Sequence, residues 1–228
     1  MKQTMITPDM LLGDVVSLFP PATRTFNALD IDYCCQGQRP LSAALAEKDL
    51  DSEAFTADLN QAYADYKTRT DHPVDPTTLS NEDLIQLILD LHHAPERLLL
   101  HDLDELINKI LVVHFEHDER LLKDLHRQFA LLKMDLEEHF VDEERVLFPA
   151  ILSGADTSAI KALIEDLEQD HDAAGDILKA IKALTNGYQP PEYACPTFVV
   201  TYKKLQALTE DIFLHIHKEN SVLFPRFA

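Results

Sequence analysis

The stretch HFVDEERVLFP at residues 139–149 returns near the C-terminus as HIHKENSVLFP at residues 215–225. Both copies share the first histidine, the glutamate four residues later and the closing Val-Leu-Phe-Pro. Residues four apart lie one turn apart on the same face of an α-helix, so each histidine and its glutamate can point at one spot. The repeat indicates two helix hairpins related by duplication and pseudo-twofold symmetry, each with a helix that stops at its proline.

Outside the repeat, apolar residues recur at spacings of three and four, which is typical of helices. We predict an all-α protein with a small helical domain at residues 1–66, a polar linker at 67–79 and an up-down-up-down four-helix bundle at 80–228. The predicted bundle helices run from Ser80 or Asn81 to about Val113, from Asp118 to Phe148, from Ser158 to Thr185, and from Pro196 to Pro225.

The overall charge restricts the partners. The chain of 228 residues carries a formal net charge of −20, which argues against nucleic acid or an anionic membrane, because phosphates are bound by clustered Lys and Arg. No apolar run approaches the roughly 20 residues of a membrane span. The first residues, MKQTMITPDM, lack the apolar core of a signal peptide, so we expect a cytoplasmic protein. Three cysteines do not make a disulfide framework.

The 11 histidines differ in the helix faces that they occupy. His92 shares a face with Ile85, Ile88, Leu99 and Leu103, and His171 shares one with Ile164, Leu167, Ala174 and Leu178, so both are predicted to point into the core. By the same comparison of helix faces, His101 and His217 are predicted to lie on solvated faces, and His93 is intermediate between core and solvent.

The four core histidines also agree in height along the bundle. His92 lies 12 residues after Ser80, and His171 lies 13 after Ser158. His139 and His215 each lie 10 residues before their closing proline. At a rise of about 1.5 Å per residue, all four sit roughly 15–20 Å from the same end of the bundle. Four histidines and two glutamates are therefore predicted to meet at one level of the core.

This set of side chains predicts a metal centre. Any one histidine alone is more often a hydrogen-bonded core residue, but buried ionised carboxylates need a compensating cation. Six ligands are too many for one tetrahedral zinc ion, whereas two iron ions with an oxo or hydroxo bridge suit imidazole and bridging carboxylate. A ferritin-type centre needs Glu-x-x-His on two helices, and among the core histidines that pattern occurs only at Glu168/His171.

The sequence resembles the iron-sulfur cluster repair di-iron proteins, known as the repair of iron centres family, whose C-terminal domain is hemerythrin-like. The resemblance rests on the two repeated stretches and on DYCCQGQ (32–38), LHH (91–93) and QDHDAAG (169–175). It implies that Glu143 and Glu219 bridge the irons, and Glu144 is expected to point away from the site. The iron ligands that it implies are His92, His139, Glu143, His171, His215 and Glu219.

Two residues depart from the family pattern. Gln36 stands where the family tends to have the first of two glycines after the cysteine pair, which alters the expected turn. Pro95 follows His92 by three residues and removes a helix hydrogen bond, so we expect a kink close to that ligand.

The resemblance implies that the protein restores iron-sulfur clusters damaged by nitric oxide or oxidants, by supplying iron. A centre of nitrogen and oxygen ligands should release iron more readily than a thiolate cage. Cys34 and Cys35 either take part in iron transfer or redox exchange, or merely pack a turn, and Cys195 is expected to be structural. The implied partners are damaged iron-sulfur proteins, and the resemblance allows a homodimer.

Two other functions stay open at this point. A hemerythrin-like centre could bind oxygen or nitric oxide reversibly for storage or sensing, or it could reduce nitric oxide. The chain has no G-x-G-x-x-G, so a reductase would need electrons from outside, and no catalytic residue is assigned. The cysteine-bearing N-terminal domain favours iron donation, because a gas carrier has no evident use for it.

Overall fold

A computed structural model describes residues 5–69 and 74–228. Regular structure in these residues is helical, apart from one isolated β-bridge between Leu11 and Pro40, so the predicted all-α class is confirmed. Residues 1–4 of the predicted first domain and residues 70–73 of the predicted linker lie outside the described residues. Among the helices that are described, none has both the length and the apolar character needed to cross a membrane.

The chain folds into two compact units. One comprises residues 1–80 together with 216–226, and the other comprises residues 81–215 with 227–228. The domain boundaries predicted above remain predictions, because the division assigns part of the last helix to the first unit.

The first unit contains short helices around a small apolar core. Its helices are α1 (Leu12–Leu18), α2 (Ala22–Ala28), α3 (Leu41–Ala46) and α4 (Ser52–Arg69), followed by a 3₁₀ turn at Pro76–Thr78. The buried side chains of this core include Val15, Phe26, Tyr33, Leu41 and Leu45.

Within the first unit, residues 216–226 pack closely against α1, and the segment that carries the cysteine pair is itself tightly packed. A Cβ atom added to Gly13 would lie 2.8 Å from Cβ of Ser221, and one added to Gly37 would lie 2.9 Å from the carbonyl oxygen of Tyr33. Real Cβ atoms do not approach that closely, so both positions require glycine for packing. The glycine that ends CCQG is therefore fixed by a close approach, whereas the preceding position tolerates Gln36.

The same packing corrects one sequence prediction. His217 was expected to be solvated, yet its side chain is buried, 3.3 Å from Oγ of Ser17 and edge-on to the ring of Tyr33. Helix periodicity describes only the helix itself, and the face that carries His217 is covered by residues about 200 positions earlier in the chain. His101, also expected to be solvated, is exposed on 75% of its side-chain surface.

The second unit is built from long helical runs. In the first, α5 (Asn81–Ile88) continues through a π-helical turn (Leu89–His93) into α6 (Ala94–Val113). In the second, α7 (Glu119–Asp142) continues through another π-helical turn (Glu143–Leu147) into α8 (Phe148–Ser153). The last two are α9 (Thr157–Leu184) and α10 (Pro196–Lys218). Their bounds lie within a few residues of the predicted ones at most ends.

Side chains cap these helices at the turns between them. The carboxylate of Asp118 accepts a hydrogen bond from the N–H of Leu121 at the start of α7, and Asp156 accepts one from Ser158 at the start of α9. Gly154 ends α8 with a φ of 68°, a left-handed conformation that favours glycine. Helix α7 packs against both α6 and α9, and Lys204 of α10 pairs with Asp102 of α6 at 2.5 Å.

Three prolines shape the helices differently from the prediction. Pro149 does not stop its helix, because the chain stays helical to Ser153. Each of Pro95, Pro149 and Pro225 instead follows a π-helical turn, the third of which is Glu219–Leu223. In all three cases the residue before the proline donates its N–H to the carbonyl oxygen five residues back.

The physical reason lies in the proline ring. In a regular α-helix the ring clashes with the carbonyl four residues earlier and leaves that carbonyl without a donor. One extra residue in the turn widens the helix and moves that carbonyl aside. The expected kink at Pro95 is therefore a π-helical turn, and the same device occurs at the end of both repeated stretches.

Candidate metal centre

All six predicted ligands are buried, and five of them belong to the second unit. His139 lies in the last turn of α7, and Glu143 is the first residue of the π-helical turn that follows. His171 lies in the middle of α9, and His215 lies near the end of α10. Residues from three separate helices thus lie at one level of the core.

Histidine ring nitrogens converge on the carboxylate of Glu143. Its Oε2 lies 3.2 Å from Nε2 of His93, 3.3 Å from Nε2 of His139 and 4.0 Å from Nε2 of His215. The ligand atoms of His93, Glu143 and His215 lie within 4.8 Å of one another, and so do those of His139, Glu143 and His171. One carboxylate shared by two histidine pairs is the arrangement expected of a ligand that bridges two metal ions.

The electrostatics of Glu143 fit a cation. The side chain is 0% exposed, and within the described part of the chain neither carboxylate oxygen accepts a hydrogen bond. Burying an ionised carboxylate without donors costs several kcal/mol or more, unless a cation compensates. The Nε2 atoms also meet in pairs, at 3.1 Å between His93 and His215 and 3.1 Å between His171 and His139. Nitrogen and oxygen donors in this number suit iron.

Glu219 has the same local setting as Glu143. It is fully buried, follows His215 by four residues in the continuous helix, and is the first residue of its own π-helical turn. The repeat in the sequence is therefore matched by a repeat in local structure, and Glu219 stays a predicted ligand.

The first helical run brings His93, and not the predicted His92, to Glu143. His92 places Nδ1 3.2 Å from Oδ2 of Asp211, and its ring stacks on that of His215 at 5.3 Å. In a regular α-helix each residue turns the chain by about 100°, and with that geometry His92 is the residue predicted to face the centre. The π-helical turn Leu89–His93 adds one residue to this helix, so the side chains that follow are rotated by about 100° relative to a regular helix.

Three of the histidines around Glu143 hold their Nδ1 atom against a second carboxylate. Nδ1 of His93 lies 2.8 Å from Glu144, Nδ1 of His215 lies 3.1 Å from Glu96, and Nδ1 of His139 lies 3.5 Å from Asp170. Such contacts fix the orientation of the ring, so that Nε2 points inward, and they make a metal-binding imidazole more basic.

The environments of these carboxylates differ. Burial raises the pKa of Glu96, because its charged form loses water, although His215 opposes the change. Burial also acts to raise the pKa of Glu144, but hydrogen bonds from Arg97 and His93 outweigh it and lower the pKa. The hydrogen bond from His139 lowers the pKa of Asp170.

Sequence reasoning missed these outer contacts. Glu144 was expected to point away from the site, and its carboxylate is not among the atoms that converge on the candidate metal positions. It nevertheless contacts His93 and accepts a 2.6 Å hydrogen bond from Arg97. Glu96 follows His92 by four residues, a spacing too common in a helix rich in His and Glu to single it out. Its partner, His215, is 119 residues away.

We expect Glu144→Gln to weaken metal binding by about 10- to 100-fold without abolishing it, because the imidazole of His93 loses a charged acceptor. Competition with a chelator of known affinity would measure this. Glu138→Gln, an exposed position on α7, is the matched control and should leave the affinity unchanged. Equal affinities for the two variants would show that the Glu144 contact does not tune the centre.

The cysteine pair forms a second group in the first unit. Cys34 is buried, Cys35 is partly exposed, and their Sγ atoms lie 3.8 Å apart. Oδ1 of Asp32 lies 3.3 Å from Sγ of Cys34 and accepts a 3.0 Å hydrogen bond from the N–H of Cys35. These three residues could hold a metal ion, and Asp32 was not singled out from sequence.

The ionisation of Cys34 is unfavourable in this setting. The hydrogen bond with Cys35, together with burial, raises the pKa of the Cys34 thiol well above its usual range. A metal ion would have to displace that proton, because the thiolate is the form that binds metal.

Comparisons with known proteins match both parts of the chain. The Hemerythrin HHE cation binding domain model matches residues 84–227, and a domain of unknown function (DUF542) matches residues 8–63. Iron-sulfur cluster repair protein YtfE of Pectobacterium atrosepticum is 35% identical over 219 residues, 96% of each chain. Its namesake from Citrobacter koseri is 34% identical over 220 residues, 96% of each chain. Iron-sulfur cluster repair protein ScdA of Staphylococcus epidermidis is 33% identical over 230 residues, 98% of this chain and all of the relative.

Proposed function

Since the chain belongs to the family of hemerythrin-domain iron-sulfur cluster repair proteins, we propose that it repairs damaged iron-sulfur clusters by supplying iron held in its helical bundle. The observation that carries the proposal is Glu143, a fully buried carboxylate without a hydrogen-bond donor among the described residues and shared by two pairs of histidines. A protein with no metal to bind would gain nothing from that arrangement.

We assign the centre two iron ions. His93 and His215 would hold one, His139 and His171 the other, and Glu143 would bridge them. Glu219 is proposed as the second bridge, on the strength of its burial and of its equivalence to Glu143 in the repeat. His93 replaces His92 in this proposal, and His92 becomes an outer residue paired with Asp211.

The side chains of this chain support binding that is firm but reversible. Glu96, Glu144 and Asp170 hold the histidine rings in place, so the centre needs little rearrangement to accept a metal ion. None of the proposed ligands is a thiolate, and imidazole and carboxylate bind ferrous iron less tightly than a cage of cysteines does. Iron held at this centre would be the cargo, that is, the metal that a damaged cluster has lost.

We propose that Asp32, Cys34 and Cys35 act as a transfer point for iron. The two sulfur atoms and one carboxylate oxygen can surround an ion, and the partial exposure of Cys35 makes its sulfur reachable. The thiols must stay reduced for this purpose, which supports a cytoplasmic location.

The test is repair of a damaged iron-sulfur enzyme in vitro. A hydratase whose [4Fe–4S] cluster has been damaged by nitric oxide is incubated with the iron-loaded protein, or with ferrous salt at the same iron concentration and with the same weak chelator. We expect the protein to restore more activity than the salt. The Glu143→Gln variant, taken through the same loading step, should do no better than the salt, and equal recovery with wild-type protein and salt would reject iron donation.

The cysteine step is tested separately in the same assay. Cys35→Ser should keep its bundle iron but restore activity more slowly, because a hydroxyl is a poor ligand for iron in place of a thiolate. Unchanged repair by this variant would leave donation by the bundle intact and remove the cysteines from the pathway.

A further inference from the structure

The third cysteine lies at a different place in the fold from the proposed iron sites. Cys195 directly precedes α10, and His215 lies 20 residues further along the same helix, a distance of about 30 Å. Cys195 is partly exposed, and from the sequence we expected it to have only a structural role. Its surroundings, formed by residues distant in sequence, indicate otherwise.

Sγ of Cys195 lies 3.1 Å from Nε2 of His114, the residue that ends α6. His114 is 6% exposed, and its ring packs edge-on against Phe198. The pair thus joins a reachable sulfur to a buried imidazole held in a fixed position. This is the geometry in which a histidine assists ionisation of a thiol.

The start of α10 provides a second source of stabilisation for a thiolate. The backbone N–H groups of Thr197 and Phe198, in the first turn of the helix, favour the ionised form of the Cys195 sulfur and act to lower its pKa. The N-terminus of a helix also carries partial positive charge, which favours a thiolate there. Together with the hydrogen bond to His114, these donors lower the pKa of Cys195 to about 7.

Two polar atoms beside the pair are not used by the described part of the chain. Nδ1 of His114 and the hydroxyl of Tyr193 are buried and lack hydrogen-bond partners there. The two rings lie 5.9 Å apart, and Tyr193 stacks on His117 at 4.8 Å. Buried polar atoms without partners are unfavourable, so the surroundings of His114 are more polar than a purely structural role requires.

We propose that Cys195 is a modification site, a reactive thiolate that forms a mixed disulfide with a low-molecular-weight disulfide. The thiolate sulfur attacks one sulfur of the disulfide, the new S–S bond forms as the old one breaks, and the electron pair of the old bond leaves on the second sulfur as a thiolate. Cys195 is oxidised and the leaving sulfur is reduced, so no other oxidant is needed.

The pH dependence of alkylation by iodoacetamide tests the proposal on the full-length protein. Mass spectrometry of peptides follows Cys195 separately from Cys34 and Cys35. The rate at Cys195 should be half-maximal near pH 7, whereas a normal thiol titrates near pH 8.5. The titratable groups around the pair are His114, which follows the last residue of α6, then His117 and Asp118 in the next loop, and Tyr193 and Tyr202 on the other side.

The matched variants are His114→Gln and His101→Gln. The first removes the imidazole beside Cys195, and the second replaces an exposed histidine on the same helix, α6. His114→Gln should move the midpoint up by about one pH unit or more, and His101→Gln should leave it unchanged. At pH 7 wild-type Cys195 should react about threefold faster than an ordinary thiol, since about 15-fold more thiolate is partly offset by its lower nucleophilicity.

The adduct itself is tested with glutathione disulfide as the probe. At pH 7 the wild-type protein should gain one glutathionyl group at Cys195, which a thiol reductant removes, and Cys195→Ser should gain none there. A wild-type midpoint near pH 8.5, or glutathionyl groups found only on Cys34 or Cys35, would overturn the proposal. The wild-type titration needs no variant, so a His114→Gln protein that fails to fold does not affect that outcome.

Discussion

Glu143→Gln is expected to leave the protein almost without iron. Glutamine has nearly the shape of glutamate but carries no charge, and Glu143 is the carboxylate on which both histidine pairs converge. Loss of an outer contact to a metal ligand costs 10- to 100-fold in affinity, so loss of a bridging ligand should exceed about 100-fold. Iron content per chain, measured after purification from iron-replete cells, checks the expectation.

A matched control and a second measurement separate loss of metal from loss of fold. Glu138→Gln lies on the exposed face of the same helix and should retain the wild-type iron content. In the metal-free state Glu143→Leu should be at least as stable as the wild type, because a buried carboxylate that accepts no hydrogen bond among the described residues is replaced by an apolar side chain. A metal-free Glu143→Leu protein that unfolds at lower denaturant than the metal-free wild type would contradict this account of the centre.

The second large effect distinguishes two adjacent histidines. We expect His93→Gln to lose iron by more than about 100-fold in affinity and His92→Gln to lose at most about tenfold. Nε2 of His93 lies 3.2 Å from Glu143, whereas Nδ1 of His92 lies 3.2 Å from Asp211. Both side chains are buried, so the two variants are well matched in their effect on packing.

Chelator competition and the electronic absorption of the iron-loaded variants measure the difference. The spectrum of His92→Gln should stay close to that of the wild type, because the inner ligands are kept. The reverse outcome, with iron retained by His93→Gln and lost by His92→Gln, would restore the ligand set implied by the resemblance and would mean that the π-helical turn regularises when metal binds.

Much of the centre could be predicted because its parts are local. A histidine and a glutamate four residues apart share a face in any helix, and His139 and Glu143 do so here at 3.3 Å. The heights along the bundle could be predicted for a similar reason, because rise per residue is nearly constant. Apolar residues at spacings of three and four were likewise sufficient to predict the all-α class.

The errors arose where backbone geometry departs from the regular helix. Pro95 was recognised as a disturbance, but its consequence, a five-residue turn ending at His93, depends on how the helix accommodates the proline ring. Pro149 was predicted to end its helix, because proline does not fit inside a regular α-helix. The π-helical turn before it accommodates the ring, so the helix continues. A turn of one extra residue changes which of two neighbouring buried side chains meets Glu143.

By itself, the sequence determined the helical class, the internal repeat, and the buried histidines and glutamates predicted as ligands, since all of these follow from spacing along single helices. Only the tertiary structure decided the contacts of Glu96 with His215, of Glu144 with His93 and of His114 with Cys195, which join residues between 51 and 119 positions apart. Periodicity states which face of a helix a residue occupies. It does not state which side chain of another helix will meet it there, because that depends on how the helices pack.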